Sequence, residues 1–229
     1  MAAMTVIIFA SSANLTALSA ASDVSKPPAA AAAAAAAYAF AAYGDPATAP
    51  DPIPEPATDK PSVWAQAQVN GAIAVGLVPQ SLQSDYSLPA TRADFCALAV
   101  SLYENVMNMS ITGRVYFDDS NDINIEKAAS IGIIFGVGDG LCDPGGELTR
   151  EHAAAMLSRL AEAIGKPFEK AAPTFADNNK LSPWSRDAAG QVQAAEIMSG
   201  VGGNYFAPKI LCTREQSIIT IMRLYDYVG

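Results

Sequence analysis

Read from Ser62 onward, apolar residues recur at helical spacing in three similar stretches. Phe95, Leu98, Ala99 and Leu102 form one stripe, Ala153, Met156, Leu157 and Leu160 a second, and Ile218, Ile221, Met222 and Tyr225 a third. Each stripe is opened by a Thr-Arg dipeptide: Thr91-Arg92-Ala93-Asp94, Thr149-Arg150-Glu151-His152 and Thr213-Arg214-Glu215-Gln216. Threonine is expected to be the N-cap, since its hydroxyl can accept a backbone N–H from the open first turn. Asp94 and Gln216 can return the bond as a capping box, and His152 would do so poorly, standing as a surface substitute for an acidic capping residue. Ahead of each stripe lies a second apolar pattern. Val63 to Val75 and Trp184 to Met198 read as helices, with Gly76 and Gly200 where a left-handed residue would end them.

The order of features is therefore repeated, and repeats are sought before a fold is assigned. The three arginines are 58 and 64 residues apart, and Gly136 and Gly200 each stand 14 residues before the following arginine. Phe117-Asp118-Asp119 and Phe175-Ala176-Asp177 open the second and third copies. Each copy reads as helix, glycine-bearing loop, helix, spanning 62–110, 111–170 and 171–229. One such unit buries little by itself, so three are expected to pack into one all-α body.

The N-terminal quarter has a different pattern. Residues 22–61 carry 8 of the 15 prolines and a run of nine alanines from Ala29 to Ala37, a composition with nothing to bury, expected to be a disordered Ala/Pro-rich linker. Residues 1–21 contain the short apolar run Met4 to Ala10 followed by small residues, which has the shape of a secretion signal without the usual basic start. Export to the cell surface is the expectation, with a mature start between Ser11 and Ser22. No apolar run reaches the roughly 18 residues a membrane-crossing helix needs.

Charge and rare residues narrow the function. Asp plus Glu number 23 against 14 Lys plus Arg, a net charge of -9 with no basic cluster, which argues against nucleic acid as a partner. His152 is the one histidine, so no multi-histidine metal cage exists, and catalysis by a Ser-His or Cys-His unit would hang on that residue alone. Cys96, Cys142 and Cys212 are widely spaced and expected to be three buried free thiols. Asp118-x-Ser120-x-Asp122 lacks the glycine and the final carboxylate of a calcium loop, and the glycines of 136–140 lack the Lys-Ser/Thr of a phosphate loop. Glu147 and Glu151 are a weak candidate for a glycosidase pair. Neither metal nor cofactor is expected, and no enzymatic activity.

The motifs FDD, FAD, GIIFGVGDG, IMSGVGGNYFAP, TRAD, LTRE and CTRE, in this order over roughly Ser62 to Gly229, resemble the S-layer homology (SLH) domain family. The resemblance implies three tandem repeats in a pseudo-threefold, three-pronged helical bundle. It further implies non-covalent anchoring to the bacterial cell wall through grooves that bind secondary cell-wall polysaccharide, in many members an anionic, pyruvylated polymer, or another peptidoglycan-linked glycan. The partner class is a glycan and the protein a monomeric anchor; the rival reading is a structural, self-assembling or partner-presenting module of the surface layer. The candidate polysaccharide-binding residues are Arg92, Arg150, Arg214, Asp119, Asp177, Trp64, Trp184, Gly136 and Gly200. An arginine at a helix start offers a planar five-donor fork beside backbone N–H groups left free in the first turn, suiting a carboxylate. Trp64 and Trp184 are expected to pack in the core with one face available to a sugar. Asp119 and Asp177 either cap the first helix or line a groove, and the arginines could instead tie neighbouring repeats together. The third copy holds most family features, so Arg214 is expected to matter more for binding than Arg92. The first copy lacks the Phe-x-Asp start, and the second lacks a tryptophan and about six residues of its first helix, with Cys142 where an aromatic is expected.

Overall fold

In a computed structural model, the structure describes residues Lys60 to Gly229; the secretion signal and nearly all of the linker lie outside the described residues. Six α-helices follow one another: α1 (Gln66–Ala74), α2 (Arg92–Met107), α3 (Ile123–Ser130), α4 (Arg150–Ile164), α5 (Arg186–Ala194) and α6 (Arg214–Val228). Short helices alternate with long ones, and among the described residues there are only isolated bridges and no sheet. No described helix is long and apolar enough to cross a membrane.

The long helices α2, α4 and α6 all touch one another around a common centre. The predicted stripes explain this: Phe95, Leu98, Leu102, Leu157, Leu160, Ile218 and Ile221 are completely or almost completely buried there. Each short helix packs against the long helix of the preceding copy, α3 on α2 and α5 on α4, and the ring closes with α1 on α6. A prong is thus built from two successive copies, which no copy could form alone. Lys127 on α3 pairs with Glu104 on α2 at 2.8 Å, and Ser158 on α4 donates to Gln191 on α5 at 2.7 Å.

Three backbone hydrogen bonds close a ring just ahead of the long helices. Ala90 N donates to Cys212 O, Cys212 N to Leu148 O and Leu148 N to Ala90 O, at 2.8, 2.8 and 3.0 Å. This cyclic exchange is a local threefold arrangement made by three unequal sequences. Each of these residues leads to a threonine N-cap, and Thr91, Thr149 and Thr213 accept from Asp94 N, His152 N and Gln216 N. The reciprocal bond completes a capping box at Thr91 and Thr213 and is missing at Thr149, as the histidine predicts. Thr213→Ala should cost about 1 kcal/mol of stability, measured by chemical denaturation, with glycan binding by the folded fraction unchanged.

The short helices end differently from the expectation. Gly76 and Gly132 take the left-handed conformation after α1 and α3, at φ 77° and 78°, but after α5 the left-handed residue is Glu196, at φ 59°. Gly200 lies four residues further on and matches Gly136 instead. A side chain on either would strike a loop carbonyl, Leu141 O at 2.8 Å from Gly136 and Tyr205 O at 2.9 Å from Gly200. Both glycines are required by close approach. The helices also start later than predicted, at Gln66 and Arg186, because the tryptophan of each sits in a tight turn before the helix. In the second copy α3 is only one residue shorter than α1, and the missing residues are those of that turn.

Candidate functional site

Backbone N–H groups at the starts of the long helices are not free. Arg92 N and Ala93 N donate to Gly146 O and Pro144 O, Arg150 N and Glu151 N to Ile210 O and Pro208 O, and Arg214 N and Glu215 N to Leu88 O and Tyr86 O, all at 2.8 to 3.1 Å. The loop of the next copy thus closes each first turn, and the expectation of an open anion site at the helix start is corrected. Neighbouring carbonyls fill the positions a ligand would take.

The arginine side chains grip the same loops. Arg92 donates from Nε to Cys142 O at 2.9 Å and from Nη2 to Phe135 O at 3.1 Å. Arg150 makes the equivalent pair, Nε to Phe206 O and Nη2 to Ser199 O, both at 2.7 Å, with its Cζ 4.9 Å from the centre of the Phe206 ring. Arg214 donates to Ser84 O at 2.8 Å and to Asp94 at 3.3 Å, with Asp85 3.7 Å away. All three tie one copy to the next, but they differ in what remains for a ligand. Arg150 is only 7% exposed, and Arg214 is neutralised by two carboxylates. Arg92 is half-buried and, among the described residues, forms no ion pair.

Asp119 and Asp177 do not cap the short helices; their carboxylates accept from backbone N–H groups of the loops. Asp119 accepts from Cys142 N at 2.9 Å and Asp143 N at 2.8 Å, and Asp177 from Phe206 N at 2.7 Å and Ala207 N at 2.8 Å. Each pins the loop that the arginine of the preceding copy holds from its carbonyl side. Those two N–H groups, Cys142 first, hold the Asp119 carboxyl below its ordinary range. Asp177 is 3% exposed. Cys142 occupies the place of Phe206, and its thiol donates to Asp119 at 3.3 Å. The three cysteines are buried and free, with burial raising Cys96 to about 12 and Cys142 and Cys212 to about 11.

The tryptophans are not core residues. Trp64 is 39% and Trp184 51% exposed, because the turns that hold them lie on the outer flank of the short helices. Trp184 stacks on His152, with ring centres 5.1 Å apart and planes 21° apart. His152 is half-buried, and its Nδ1 lies 2.8 Å from Thr149 Oγ1. Burial first, then the charge of Arg92, keeps its pKa below the ordinary histidine value. Phe135, exposed in the second loop, lies beneath Arg159 at 4.7 Å.

Two acidic residues carry structure that sequence reasoning did not assign. Glu151 is buried and accepts from Ser182 N and Ser182 Oγ at 3.1 Å and from Ser185 Oγ at 3.0 Å, and it pairs with Lys209. Burial by itself would raise its carboxyl, but Lys209 and the serines bring it below the ordinary range. Glu215 receives Ser62 N at 2.9 Å and Ser62 Oγ at 2.8 Å. Each glutamate therefore holds the turn that leads into the short helix of the next copy. The first copy has Ala93 at this position, and α3 is instead capped by its own Asp122 through Asn124 N at 2.7 Å. The signal was the third letter of Thr-Arg-Glu against Thr-Arg-Ala. Because Glu151 is committed to these partners, it forms no catalytic pair with the exposed Glu147.

Comparison with known proteins agrees with this architecture. Residues 174–216, the run from the third copy's Phe-x-Asp start to its Thr-Arg-Glu motif, match the model of the S-layer homology domain. Over these residues the chain carries an S-layer homology domain. It is 30% identical over 178 residues to an amylopullulanase of Thermoanaerobacterium thermosulfurigenes, covering 72% of this chain and 9% of that protein. It is 26% identical over 175 residues to the exoglucanase XynX of Acetivibrio thermocellus, covering 71% of this chain and 16% of the relative. An endoglucanase of Bacillus sp. (strain KSM-635) is 34% identical over 104 residues, 44% of this chain and 11% of that protein. The chain thus spans under a fifth of the length of each. The S-layer homology domain associates the chain with the cell surface and its wall.

Proposed function

We propose that all three helix pairs are S-layer homology repeats and that the chain is a non-catalytic module holding a surface protein to the bacterial cell wall by binding an anionic wall polysaccharide. The observation that supports this most is the groove of Arg92, His152 and Trp184. A partly exposed guanidinium without a carboxylate partner is set by the repeat geometry toward His152, on which stacks an indole half open to solvent. A sugar bearing a carboxylate needs both, a charge-assisted donor and a flat apolar face. Gly136 supports the groove by letting the second loop fold closely under Phe135, and Gly200 does the same for the third loop.

The geometry favours an order of importance different from the sequence. Arg214 faces Asp85 and Asp94, which repel an anion, and the groove it borders has no tryptophan from α3's turn. Arg150 is covered, and Trp64, which starts the prong formed with α6, has an uncharged Gln216 where Trp184 has His152. Arg92 therefore carries the strongest expectation. The full chain should sediment with purified sacculi and remain in solution when the secondary polymer has been stripped from them. Arg92→Ala should weaken this binding about tenfold or more, and Trp184→Ala by a similar factor, through loss of one charge-assisted contact or one stacking face. Arg214→Ala should change it by less than about threefold, its charge being already neutralised. Equal binding to stripped sacculi would shift the ligand to peptidoglycan itself, and full binding by both Arg92→Ala and Trp184→Ala would sink the groove.

A further inference from the structure

The three long helices carry different residues at the third position of the first turn: Asp94, His152 and Gln216. The repeat geometry brings each close to the arginine of the preceding copy, as the contact between Arg214 and Asp94 shows. Only the middle groove thus has an imidazole at this position, a group whose charge changes between pH 5 and 8. Nδ1 of His152 is held 2.8 Å from Thr149 Oγ1, and this contact survives either charge state, because the hydroxyl can donate to a bare nitrogen or accept from a protonated one. The ring is fixed in plane by Trp184. Its other nitrogen, Nε2, makes no hydrogen bond among the described residues.

We propose that His152 is a ligand-contacting residue of this groove, donating from Nε2 to an anionic sugar and, as imidazolium, adding a second cation beside Arg92, so that glycan binding tightens as pH falls. The inference rests on the anchoring reading and names how its site responds to pH. The charged groups whose fields act on the ring are Arg92 from α2, Arg159 and Glu151 from α4, and Lys209 from the loop before α6. Glu151 is spoken for by Lys209 and the two serines, so it does not cancel an added charge. With three cations near, the empty groove resists protonation, and a bound carboxylate removes that resistance. The sign follows: ligand binding and proton binding favour each other, each raising the other's affinity by one common factor.

The test uses the full chain and oligogalacturonate as probe, whose carboxylates stay ionised across the range. Affinity should rise about three- to tenfold from pH 8 to pH 5 at low salt. In His152→Gln, which installs the residue of the matching position 216, that rise should vanish. His152 is the chain's one histidine, so its ring proton resonance is unambiguous, and saturating probe should move its midpoint upward by about half to one pH unit, the logarithm of the same factor. An equal pH slope in His152→Gln, a midpoint unmoved by the probe, or no probe binding at pH 5 overturns the proposal. Sedimentation with sacculi is read separately: if it is the same at pH 8 and pH 5 and in His152→Gln, the anchoring reading stands and this proposal falls.

Discussion

Replacing Gly190 with alanine should lower the stability of the described domain by about 2 to 3 kcal/mol, although alanine is the better helix former by up to about 1 kcal/mol. Gly190 is buried in the middle of α5, where the chain entering the third copy crosses the helix. A β-carbon there would run into the backbone carbonyl oxygen of Ala171, and would meet Pro173 N at 2.7 Å and Ala171 C at 2.8 Å. These are backbone atoms and cannot rotate aside. The strap is also held in place: Thr174 N donates to Gln193 at 2.8 Å, Gln193 donates back to Thr174 Oγ1 at 2.9 Å, and Asn204 donates to Thr174 O at 2.7 Å. Packing therefore outweighs propensity. Scanning calorimetry should show a melting temperature lower by about 5 to 10 °C. Gly145→Ala, at a site with nothing within 4 Å and no positive φ, is the control and should change it little. A rise in Gly190→Ala would mean that the strap does not sit on α5.

Arg150→Ala should cost about 3 to 4 kcal/mol, the largest effect expected of any of the three arginines. Its guanidinium is buried against Phe206 and makes two short bonds to carbonyls that would be left without donors in the dry interior. Asp177 grips the N–H of the same Phe206, so the residue is held from both sides by opposite charges. Removing either partner should release the loop, and the double change Arg150→Ala with Asp177→Ala should cost less than the two separately. Arg150→Lys should recover little, because a point charge cannot reach two carbonyls as the planar fork does. The midpoint of urea unfolding tests this, and a loss below about 1 kcal/mol for Arg150→Ala would show that the loop is held by other means. Arg92→Ala, more exposed, should lose affinity before it loses stability.

The helices were legible because their signals are local. Threonine before arginine, a stripe every three to four residues and a polar third position settle where a long helix begins and which face it buries, whatever it packs against. Cys142 in the place of an aromatic could likewise be found by register. The partners of Arg92, Arg150 and Arg214 were not legible, since each lies in the next copy, 43 to 56 residues on or 130 residues back across the closure. For the same reason the expected importance of Arg214 over Arg92 followed the copy each belongs to, whereas a groove is assembled from three copies.

By itself the sequence determined three helix pairs, their caps, their buried faces, the free thiols and the membership of its third repeat in a family. Tertiary structure decided what the polar residues do. It turned Asp119 and Asp177 into loop pins, Glu151 and Glu215 into holders of the turn before a neighbour's helix, and first-turn N–H groups into inter-copy bonds. It also set Trp184 and His152 face to face on the surface. The physical reason is that a helix stripe is satisfied by any apolar surface, whereas a charge or a hydrogen-bonding group is defined by the particular atom opposite it. In a ring that closes α6 onto α1, that atom often belongs to another copy, as it does for Arg92, Arg150, Arg214, Glu151 and Glu215.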